Sequence, residues 1–525
     1  MTGYLGYTIG GLWDWAVDHY AKRIVAVQGD RKMTYRGLKE RANQLGNALL
    51  SMGLKKGDRV GTLTSNSIES IILDYGLAKA GLVQVILHEG IVVPADNAYM
   101  ANDSVVSVLV YHATYAAHVE QMRPHLETVR HFLCISEGTA IPPDSNDFYQ
   151  TLSSQPASDP PVSVSEDDVI SIYYTGGTTG VPKGCMHAST NRVHTYLTAL
   201  TEIGLGVRHI FLHVAPMSHA SNVFMIPICL RGGTQVILDR FSPELFLETV
   251  ARQKVTATFI VPTMLYRILD YPELNKYDCS SLNTIIYGAS PIGPERLREA
   301  LAAFGPVLIQ VFGQTEAPMF LTALRQEDHV VSPGEEERLS SCGRPTLMCH
   351  LRLVDDEDKD VPLGSEGEMA VRTPNMMKGY LNKPEETAQA MKGGWLHTGD
   401  IGRRDEEGYI YILDRKKDMV ISGGWNIYPK EIEATLHEHP AVADAAVIGI
   451  PDPKWGEALK AFVVLHSART AGAGEIIQFC KERKGSIKAP KSVEFVDQIP
   501  LTSVGKHDKK ALRDRYWGAE KRRVH

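Results

Sequence analysis

The sequence has few cysteines and no metal-binding pattern among them. Seven cysteines occur in 525 residues, and no two are spaced as Cys-x-x-Cys. A scattered, odd-numbered set is typical of a reducing compartment and provides neither a zinc framework nor a disulfide scaffold. None lies in a context that would activate a catalytic thiol. The cysteines are Cys134, Cys185, Cys229, Cys279, Cys342, Cys349 and Cys480.

The chain also lacks an excess of positive charge. Its 55 lysines and arginines are outnumbered by 62 aspartates and glutamates, which gives a formal net charge of -7. This balance argues against a nucleic-acid-binding protein that relies on broad electrostatic attraction. A site for an anionic ligand must therefore be positive locally, within a mildly acidic protein.

Long uninterrupted apolar runs are missing as well. The most apolar long window, residues 71–87, contains Asp74 and Lys79, so no membrane span is expected. The first residues lack the basic start of a signal peptide, and the last four carry no peroxisomal or lipidation signal. The sequence alone therefore predicts a cytoplasmic protein.

What the sequence does contain is enough apolar material for several cores. Hydrophobic residues make up 43% and charged residues 22% of the chain, as in ordinary globular proteins, and the length predicts roughly three or four domains. Up to about residue 342, β-favouring runs alternate with helical patterns, which predicts parallel sheets covered by helices. Residues 137–166, rich in Pro, Ser and Asp, are expected to form an exposed connection. From about residue 343 short strands and tight turns indicate a small, mainly β subdomain.

One stretch, YYTGGTTGVPKGCMH at residues 173–187, has the composition of a phosphate-binding loop. Glycines let backbone amides approach a polyphosphate, threonine hydroxyls add donors, and a lysine adds a mobile positive charge. It is not the common strand–GxxxxGK[ST]–helix loop, because Pro182 precedes the lysine and no Ser or Thr follows it. A flexible surface turn is the alternative interpretation. The candidate phosphate-binding residues are Thr175, Gly176, Gly177, Thr178, Thr179, Gly180 and Lys183.

Four further strings carry residues suited to nucleotide chemistry. Residues 312–316, FGQTE, offer an aromatic ring, a hydroxyl and a carboxylate that suits hard Mg²⁺. Residues 395–400 end in an aspartate whose two oxygens can accept two hydroxyls, although a helix cap is the usual role of such a residue. Residues 413–418 form a charge run followed by a glycine pair, and residues 500–506 place a lysine after a glycine. Taken singly, each string also fits a solvated surface segment.

Together and in this order, the five strings resemble the adenylate-forming superfamily of acyl-CoA synthetases, luciferases and peptide-synthetase adenylation enzymes. The resemblance covers roughly residues 170–510. It implies that Phe312 stacks on the adenine, that Thr315 contacts the α-phosphate of ATP, and that Glu316 binds Mg²⁺.

The same resemblance assigns roles in the last quarter of the chain. Asp400 and Arg415 would hold the ribose, and Lys417 would be the hinge residue between two domains. Lys506 would reach both the substrate carboxylate and the α-phosphate. Attack of one anion on another requires such a cation between them.

Coenzyme A would approach along the glycine pair Gly423 and Gly424. Many relatives carry Glu where Trp425 stands, which changes the local contacts with coenzyme A, although a Trp can pack on the pantetheine arm. Relatives commonly carry Ser where Gly176 stands, so this phosphate loop has one hydroxyl fewer.

The acid-binding pocket is expected around His219 and Val223. Amino-acid-activating relatives have an aspartate at the place of His219, so the histidine disfavours an amino acid substrate; a histidine buried in the core is the alternative. Gly288, Ala289 and Ser290 would supply adenine contacts, and Gly288 would also leave one wall of the acyl pocket open.

The sequence thus predicts an α/β protein that activates a carboxylic acid with ATP and Mg²⁺ and transfers it to coenzyme A. Its large N-terminal domain (1–415) would hold helix-covered sheets and a small β-barrel-like subdomain, and a smaller mobile α+β domain (416–525) would carry the catalytic lysine. Alternatives are an enzyme that loads a carrier-protein thiol, a luciferase-like oxidase and a non-catalytic nucleotide-binding protein. The predicted partner is a small carboxylic acid, and medium-chain, branched and aryl acids all remain open. A homodimer is expected only because homodimers are common among soluble oligomers.

Overall fold

The structure of the protein is a computed structural model. It describes residues 8–88, 93–136, 138–175, 182–207, 209–290, 292–332, 334–467, 469–501 and 507–517. Within these residues no helix is both long enough and apolar enough to cross a membrane.

The strands of the first 345 residues carry the labels β1 to β16. They are β1 (Ile24–Gln28), β2 (Arg31–Thr34), β3 (Arg59–Leu63), β4 (Val83–Ile86), β5 (Val106–His112), β6 (His131–Ile135), β7 (Asn146–Asp147), β8 (Val169–Thr175), β9 (Lys183–Ala188), β10 (Ile210–His213), β11 (Thr234–Ile237), β12 (Ala257–Ile260), β13 (Thr284–Gly288), β14 (Leu308–Gln314), β15 (Ala317–Leu324) and β16 (Arg344–Pro345). The remaining strands are β17 (His350–Val354), β18 (Gly367–Arg372), β19 (Gly379–Tyr380), β20 (Leu396–Arg404), β21 (Ile410–Arg415), β22 (Val420–Ser422), β23 (Trp425–Ile427), β24 (Val442–Asp452), β25 (Gly456–Leu465) and β26 (Ser492–Phe495).

The α-helices are numbered in the same way. They are α1 (Ile9–Tyr20), α2 (Tyr35–Ser51), α3 (Ile68–Lys79), α4 (Pro94–Asp103), α5 (Ala116–Met122), α6 (Phe148–Ser153), α7 (Ser189–Glu202), α8 (Met225–Leu230), α9 (Pro243–Gln253), α10 (Pro262–Leu269), α11 (Pro294–Phe304), α12 (Pro384–Ala390), α13 (Pro429–His437), α14 (Ala473–Lys488) and α15 (Lys509–Trp517).

The chain divides into two compact units. The first comprises Met1–His350 and Val371–Leu396, and the second comprises Leu351–Ala370 and His397–His525. A boundary between functional domains at residues 415 and 416 stays a prediction.

Two large sheets form the first unit. The order of the first is β16-β15-β14-β13-β12-β10-β11-β1-β2, and that of the second is β19-β9-β8-β4-β3-β5-β6-β7. Neighbours from β14 to β1 in the first sheet and from β8 to β7 in the second are parallel. The predicted parallel sheets are therefore confirmed. Antiparallel pairs lie toward the edges of both sheets: β1–β2, β14–β15 and β15–β16 in the first, and β8–β9 and β9–β19 in the second.

Local sequence explains why the covering helices form. Helix α2 begins after Thr34, whose hydroxyl accepts the backbone N–H of Gly37, and its apolar positions such as Leu38 and Leu45 are buried. Helix α3 begins after Ser67, which caps the helix by accepting the N–H of Ser70. Fully buried aromatic and aliphatic side chains from these helices and from the sheets join into one large core.

The second unit contains two smaller sheets and three helices within the described residues. One sheet has the order β17-β18-β20-β21 and provides the predicted small β region. The other has the order β23-β22-β25-β24, with β26 paired to β25. Helix α13 spans 429–437, as its sequence pattern predicts, because Pro429 fits the first helical position and Ile432 and Leu436 face the core. The mixed α/β fold predicted from the sequence is confirmed.

The expectation of an exposed connection over 137–166 is wrong for part of this range. Residues 146–147 add strand β7 to the second sheet, and helix α6 follows directly. Asp147 caps that helix by accepting the N–H of Gln150, and Phe148 and Leu152 are buried four residues apart. The surrounding Pro, Ser and Asp residues obscured one short amphipathic turn in the sequence pattern.

Gly343 offers a test of how tightly the edge of the first sheet is packed. Its backbone has φ +85°, and an added Cβ would lie 2.0 Å from the carbonyl oxygen of Ala323. Gly57 has a similar φ of +88°, but a Cβ there would meet nothing within 4 Å. Gly57→Ala should cost about 1–2 kcal/mol through its left-handed backbone alone, and Gly343→Ala should cost at least about 2 kcal/mol more because β15 must move. Thermal unfolding of both variants checks this, and equal melting temperatures would contradict the proposed close packing.

Candidate functional site

The Gly/Thr-rich stretch lies between two antiparallel strands rather than between a strand and a helix. Strand β8 ends at Thr175 and β9 begins at Lys183, and these two residues are directly paired. Residues 176–180, five of the predicted phosphate-binding residues, lie outside the described residues. The structure therefore fixes both ends of the stretch and brings Thr175 and Lys183 side by side.

The FGQTE string forms a second tight hairpin. Strand β14 continues through Gln314, Thr315 and Glu316 make the turn, and β15 returns antiparallel to β14. An added Cβ on Gly313 would lie 2.3 Å from the backbone nitrogen of Met319, so only glycine fits at this close approach. The hairpin presents the hydroxyl of Thr315 and the carboxylate of Glu316 at its tip.

Tyr380, which the sequence analysis did not single out, connects the two hairpins. Its hydroxyl donates to Oε1 of Glu316 at 2.8 Å, and the Nζ atom of Lys183 lies 5.2 Å from its ring centre. Its backbone pairs with Cys185 on β9, and the nearby N–H of Met377 donates to the Glu316 carbonyl at 2.7 Å. Only a general signal in the sequence, an aromatic beside a glycine in a β-rich segment, marks this tyrosine.

The predicted adenine-binding residues sit at the carboxyl ends of neighbouring strands. Gly288 ends β13, and an added Cβ would lie 2.5 Å from the carbonyl oxygen of Val311 on β14, so the packing of these strands also explains this glycine. Ala289 has φ +69° and is exposed, as is Ser290. Phe312 is half-buried on β14. Strand ends of this kind are where open parallel sheets bind ligands, and the individual roles stay predictions.

His219 lies half-buried before a short turn that holds the buried Val223. Its ring is nearly perpendicular to that of His88, with 5.9 Å between the ring centres. His88 follows β4, and its Nε2 contacts the carbonyl oxygen of Tyr174 at 3.2 Å. Burial lowers the pKa of His88, so the neutral ring is favoured there. The contact places His219 beside the end of strand β8, which leads into the Gly/Thr stretch.

Asn66 is a second residue that the motifs did not reveal. Its side-chain amide donates to the carbonyl oxygens of Ala215 and Leu238, and its Oδ1 accepts the N–H of Met217 at 2.6 Å. It thereby ties the end of β3 to the segment that leads to His219. Both Asn66 and His88 are polar residues that follow parallel strands, a position where open sheets commonly bind ligands.

In the second unit, Asp400 and Arg415 are paired across adjacent strands. Asp400 lies within β20 opposite Arg415 on β21, and Arg415 Nε is 2.7 Å from Asp400 Oδ1. The helix-cap role considered for this aspartate is therefore wrong, because Asp400 lies inside a strand. The carboxylate is buried while the arginine side chain is 43% exposed, so the pair offers one accepting and one donating group close together.

The predicted hinge residue lies between two anchored neighbours. Lys416 pairs with Asp356 at 2.8 Å, and Asp418 pairs with Arg513 of α15 at 2.6 Å. Lys417 itself is exposed, and partial desolvation of its ammonium group lowers its pKa. The residues before and after Lys417 are thus held by different elements of the second unit.

Gly423 and Gly424 form the two-residue turn of the β22–β23 hairpin. Both have positive φ, +59° and +84°, a conformation that glycine adopts without strain. Trp425, the first residue of β23, is 63% exposed, and Trp455 beside this turn is 44% exposed. The N–H of Gly423 donates to the carbonyl oxygen of Trp455 at 2.8 Å. An exposed indole next to a glycine turn is a suitable surface for an apolar arm of a ligand.

Lys506 lies outside the described residues, but the chain on either side is fixed. Leu501 and His507 form an isolated β-bridge. His507 donates to Asp444 Oδ2 at 2.9 Å, and this hydrogen bond raises the pKa of the histidine. Lys509 of α15 pairs with Glu433 at 2.8 Å.

The described residues could bind Mg²⁺ only if a substrate supplied some of the metal ligands. Among the described residues there is no cluster of three His, Cys, Asp or Glu side chains that would hold a metal by itself. Mg²⁺ is commonly held by one or two carboxylates together with substrate phosphates and water. The carboxylate of Glu316, near Lys183, is suited to that arrangement.

Comparisons with known proteins agree with these features. The family model "AMP-binding enzyme" matches residues 13–381, and "AMP-binding enzyme C-terminal domain" matches residues 431–506. A medium/long-chain-fatty-acid–CoA ligase, FadD8 of Mycobacterium tuberculosis, is 40% identical over 97% of this chain and 90% of its own length. A feruloyl-CoA synthase of an Amycolatopsis species is 35% identical over 96% of this chain and 99% of its own.

Among solved structures, the anthranilate CoA ligase AuaEII in complex with anthranoyl-AMP superposes with a TM-score of 0.87 at 28% identity, covering 97% of each chain. The two family-model matches include the strings at residues 173–187, 312–316 and 500–506, while those at 395–400 and 413–418 lie between the two matches. The chain therefore belongs to the AMP-binding enzyme family and, with it, to the adenylate-forming superfamily.

Proposed function

We propose that this protein is an AMP-forming carboxylate–CoA ligase that works through an acyl-adenylate intermediate. The observation that carries the proposal is the joining of two motifs at one side chain: Lys183 of the Gly/Thr stretch and Glu316 of the FGQTE hairpin both contact Tyr380. A cation and a carboxylate that contact the same side chain, beside the carboxyl ends of strands β8 and β14, suit a metal–triphosphate ligand. Membership of the family and relatives named as CoA ligases support the same assignment.

In the first half-reaction a carboxylate attacks the α-phosphorus of ATP, forming a C–O–P bond and releasing pyrophosphate. Thr178, Thr179 and Lys183 would hold phosphates, Thr315 would donate to the α-phosphate, and Lys506 would hold both anions together. Asp400 and Arg415 would hold the ribose. Mg²⁺, bound by Glu316 and the phosphates, would neutralise charge on the triphosphate.

In the second half-reaction the thiol of coenzyme A attacks the acyl carbon, and AMP leaves. No protein nucleophile is required, because the mixed anhydride is already activated. The C-terminal domain would rotate about Lys417, withdraw Lys506 and present Gly423, Gly424 and Trp425 along the path of the pantetheine arm.

The acid is a small molecule whose carboxylate is bound near His219 and Val223. The relatives are named for fatty, feruloyl and indoleacetate substrates, which share a carboxylate on an apolar body. We therefore infer that the substrate is an apolar carboxylic acid. The proposed reaction requires neither a homodimer nor a cytoplasmic location.

One observation favours a second acceptor. A fatty acid–[acyl-carrier-protein] ligase, ScoC of Streptomyces coeruleorubidus, is 32% identical over 94% of this chain. A carrier-protein thiol in place of coenzyme A is therefore the alternative acceptor. Acid-dependent pyrophosphate exchange without consumption of coenzyme A would favour this alternative.

A screen of carboxylic acids tests the proposed function most directly. With ATP, Mg²⁺ and coenzyme A, at least one fatty or aryl acid should give equal amounts of AMP and acyl-CoA. The matching primary alcohol is the control, because it has no carboxylate to activate. Absence of AMP release with every acid in a broad panel would overturn the proposal.

Lys506→Ala should lose the first half-reaction selectively. Removing the cation between two reacting anions should slow acyl-AMP formation by about 100-fold or more, while conversion of supplied acyl-AMP with coenzyme A should continue. Lys510→Ala is the matched control, because Lys510 is a nearby exposed lysine on α15. Acyl-AMP formation by Lys506→Ala at the wild-type rate would show that Lys506 has another role.

Lys417→Pro should impair the second half-reaction selectively. Proline fixes φ near −65°, so the backbone rotation that the thioester step needs should be blocked, with about a tenfold or greater loss in acyl-CoA formation from acyl-AMP. Pyrophosphate exchange should remain within about threefold of wild type. Lys417→Ala removes the side chain and keeps the rotation, so it separates the two effects. Equal losses in both half-reactions would argue against a hinge at this residue.

A further inference from the structure

Tyr380 contacts charged groups from two separate motifs. Its hydroxyl donates to Glu316 Oε1 at 2.8 Å, and its ring faces the Nζ atom of Lys183 at 5.2 Å. Glu316 belongs to the β14–β15 turn, and Lys183 belongs to the first position of β9. One half-buried side chain therefore contacts both a carboxylate and an ammonium group.

The backbone around Tyr380 is fixed to the same two hairpins. Strand β19 pairs with β9 through Tyr380 and Cys185, and the N–H of Leu381 donates to the carbonyl oxygen of Gly184 at 2.8 Å. On the other side, the N–H of Met377 donates to the carbonyl oxygen of Glu316. The backbone of Tyr380 is thus fixed relative to both hairpins, so its side chain starts from a defined position beside Glu316 and Lys183.

Each contact has a defined electrostatic effect. A hydroxyl that donates to one carboxylate oxygen orients the group and leaves its other oxygen for a cation. An aromatic face near an ammonium group attracts it and restricts where the lysine can reach. Without this restraint, Lys183 and Glu316 could pair directly and neutralise each other.

We propose that Tyr380 is a positioning residue that orients Glu316 toward Mg²⁺ and keeps Lys183 apart from that carboxylate for the phosphates of ATP. The inference rests on the proposed function, because it takes metal–ATP as the ligand of these two residues. The proposal predicts two separate contributions of Tyr380. The hydroxyl affects metal binding through Glu316, and the ring affects phosphate binding through Lys183.

Binding measurements separate these contributions without relying on turnover. The probe is Mn²⁺, whose free concentration is followed by electron paramagnetic resonance in the presence of α,β-methylene-ATP, an analogue that cannot transfer its AMP group because a methylene replaces the oxygen between the α- and β-phosphorus atoms. Tyr380→Phe removes only the hydroxyl and should weaken Mn²⁺ binding about tenfold or more. Binding of the analogue in excess EDTA, measured by calorimetry, should be unchanged. Tyr380→Leu also removes the ring and should weaken this metal-free binding by about two- to fivefold.

Tyr516→Phe is the matched control. The hydroxyl of Tyr516 donates to Glu494 Oε2 at 2.8 Å, the same distance, between two half-buried residues. If removal of any tyrosine–carboxylate bond weakened binding through general loss of stability, this variant would show it. It should bind Mn²⁺ and the analogue as the wild type does.

A double-variant cycle with Glu316→Gln decides whether Tyr380 acts through the carboxylate. Glutamine keeps a hydrogen-bond acceptor and removes the negative charge, so Mn²⁺ binding should fall, and adding Tyr380→Phe should then cause little further loss. Additive losses would overturn the proposal, as would wild-type Mn²⁺ affinity in Tyr380→Phe. If Tyr380→Phe lowered the melting temperature and also weakened both metal-free binding and Mn²⁺ binding, Tyr380 would be a purely structural contact. That result would overturn the proposal too. If the wild-type protein bound neither Mn²⁺ nor the analogue, the proposed function would fail together with this role.

Discussion

Repulsion between anions is the constraint on which this structure depends. A carboxylate and a triphosphate repel each other, and the protein as a whole is negatively charged. Positive charge must therefore be concentrated locally. In the first unit a tyrosine lies against both Lys183 and Glu316. In the second, Arg415 pairs with the buried Asp400 while much of its side chain stays exposed.

Much of the fold could be predicted from local patterns, and the exceptions have a physical cause. Helix α13 begins and ends where its proline and apolar spacing indicate, and the alternation of strands and helices predicted the parallel sheets. Helix α6 was missed because its buried Phe148 and Leu152 occupy a single turn within a polar segment. A pattern of two apolar residues is too short to stand out from its surroundings.

The candidate site was only partly predictable for a different reason. Thr315, Glu316 and Asp400 stand in recognisable strings, but Tyr380 acts through contacts with residues far away in sequence, and no local pattern encodes such a contact. Asn66 and His88 are polar residues that follow the parallel strands β3 and β4, so the general rule that ligands bind at such strand ends points to both. The Asp400–Arg415 pair required the register of two strands, which follows from hydrogen bonding rather than composition.

The two strands that flank the Gly/Thr stretch have a consequence for product release. In a strand–loop–helix phosphate site the aligned peptide dipoles of the helix attract the anion permanently. Here the chain that follows the stretch is strand β9, whose peptide dipoles alternate and nearly cancel. In the proposed function, attraction would then come from the backbone amides and side chains of the stretch, Lys183 among them, and not from a helix dipole. A phosphate site without a permanent helix dipole would retain the pyrophosphate product less strongly, which would let it dissociate before the proposed thioester step.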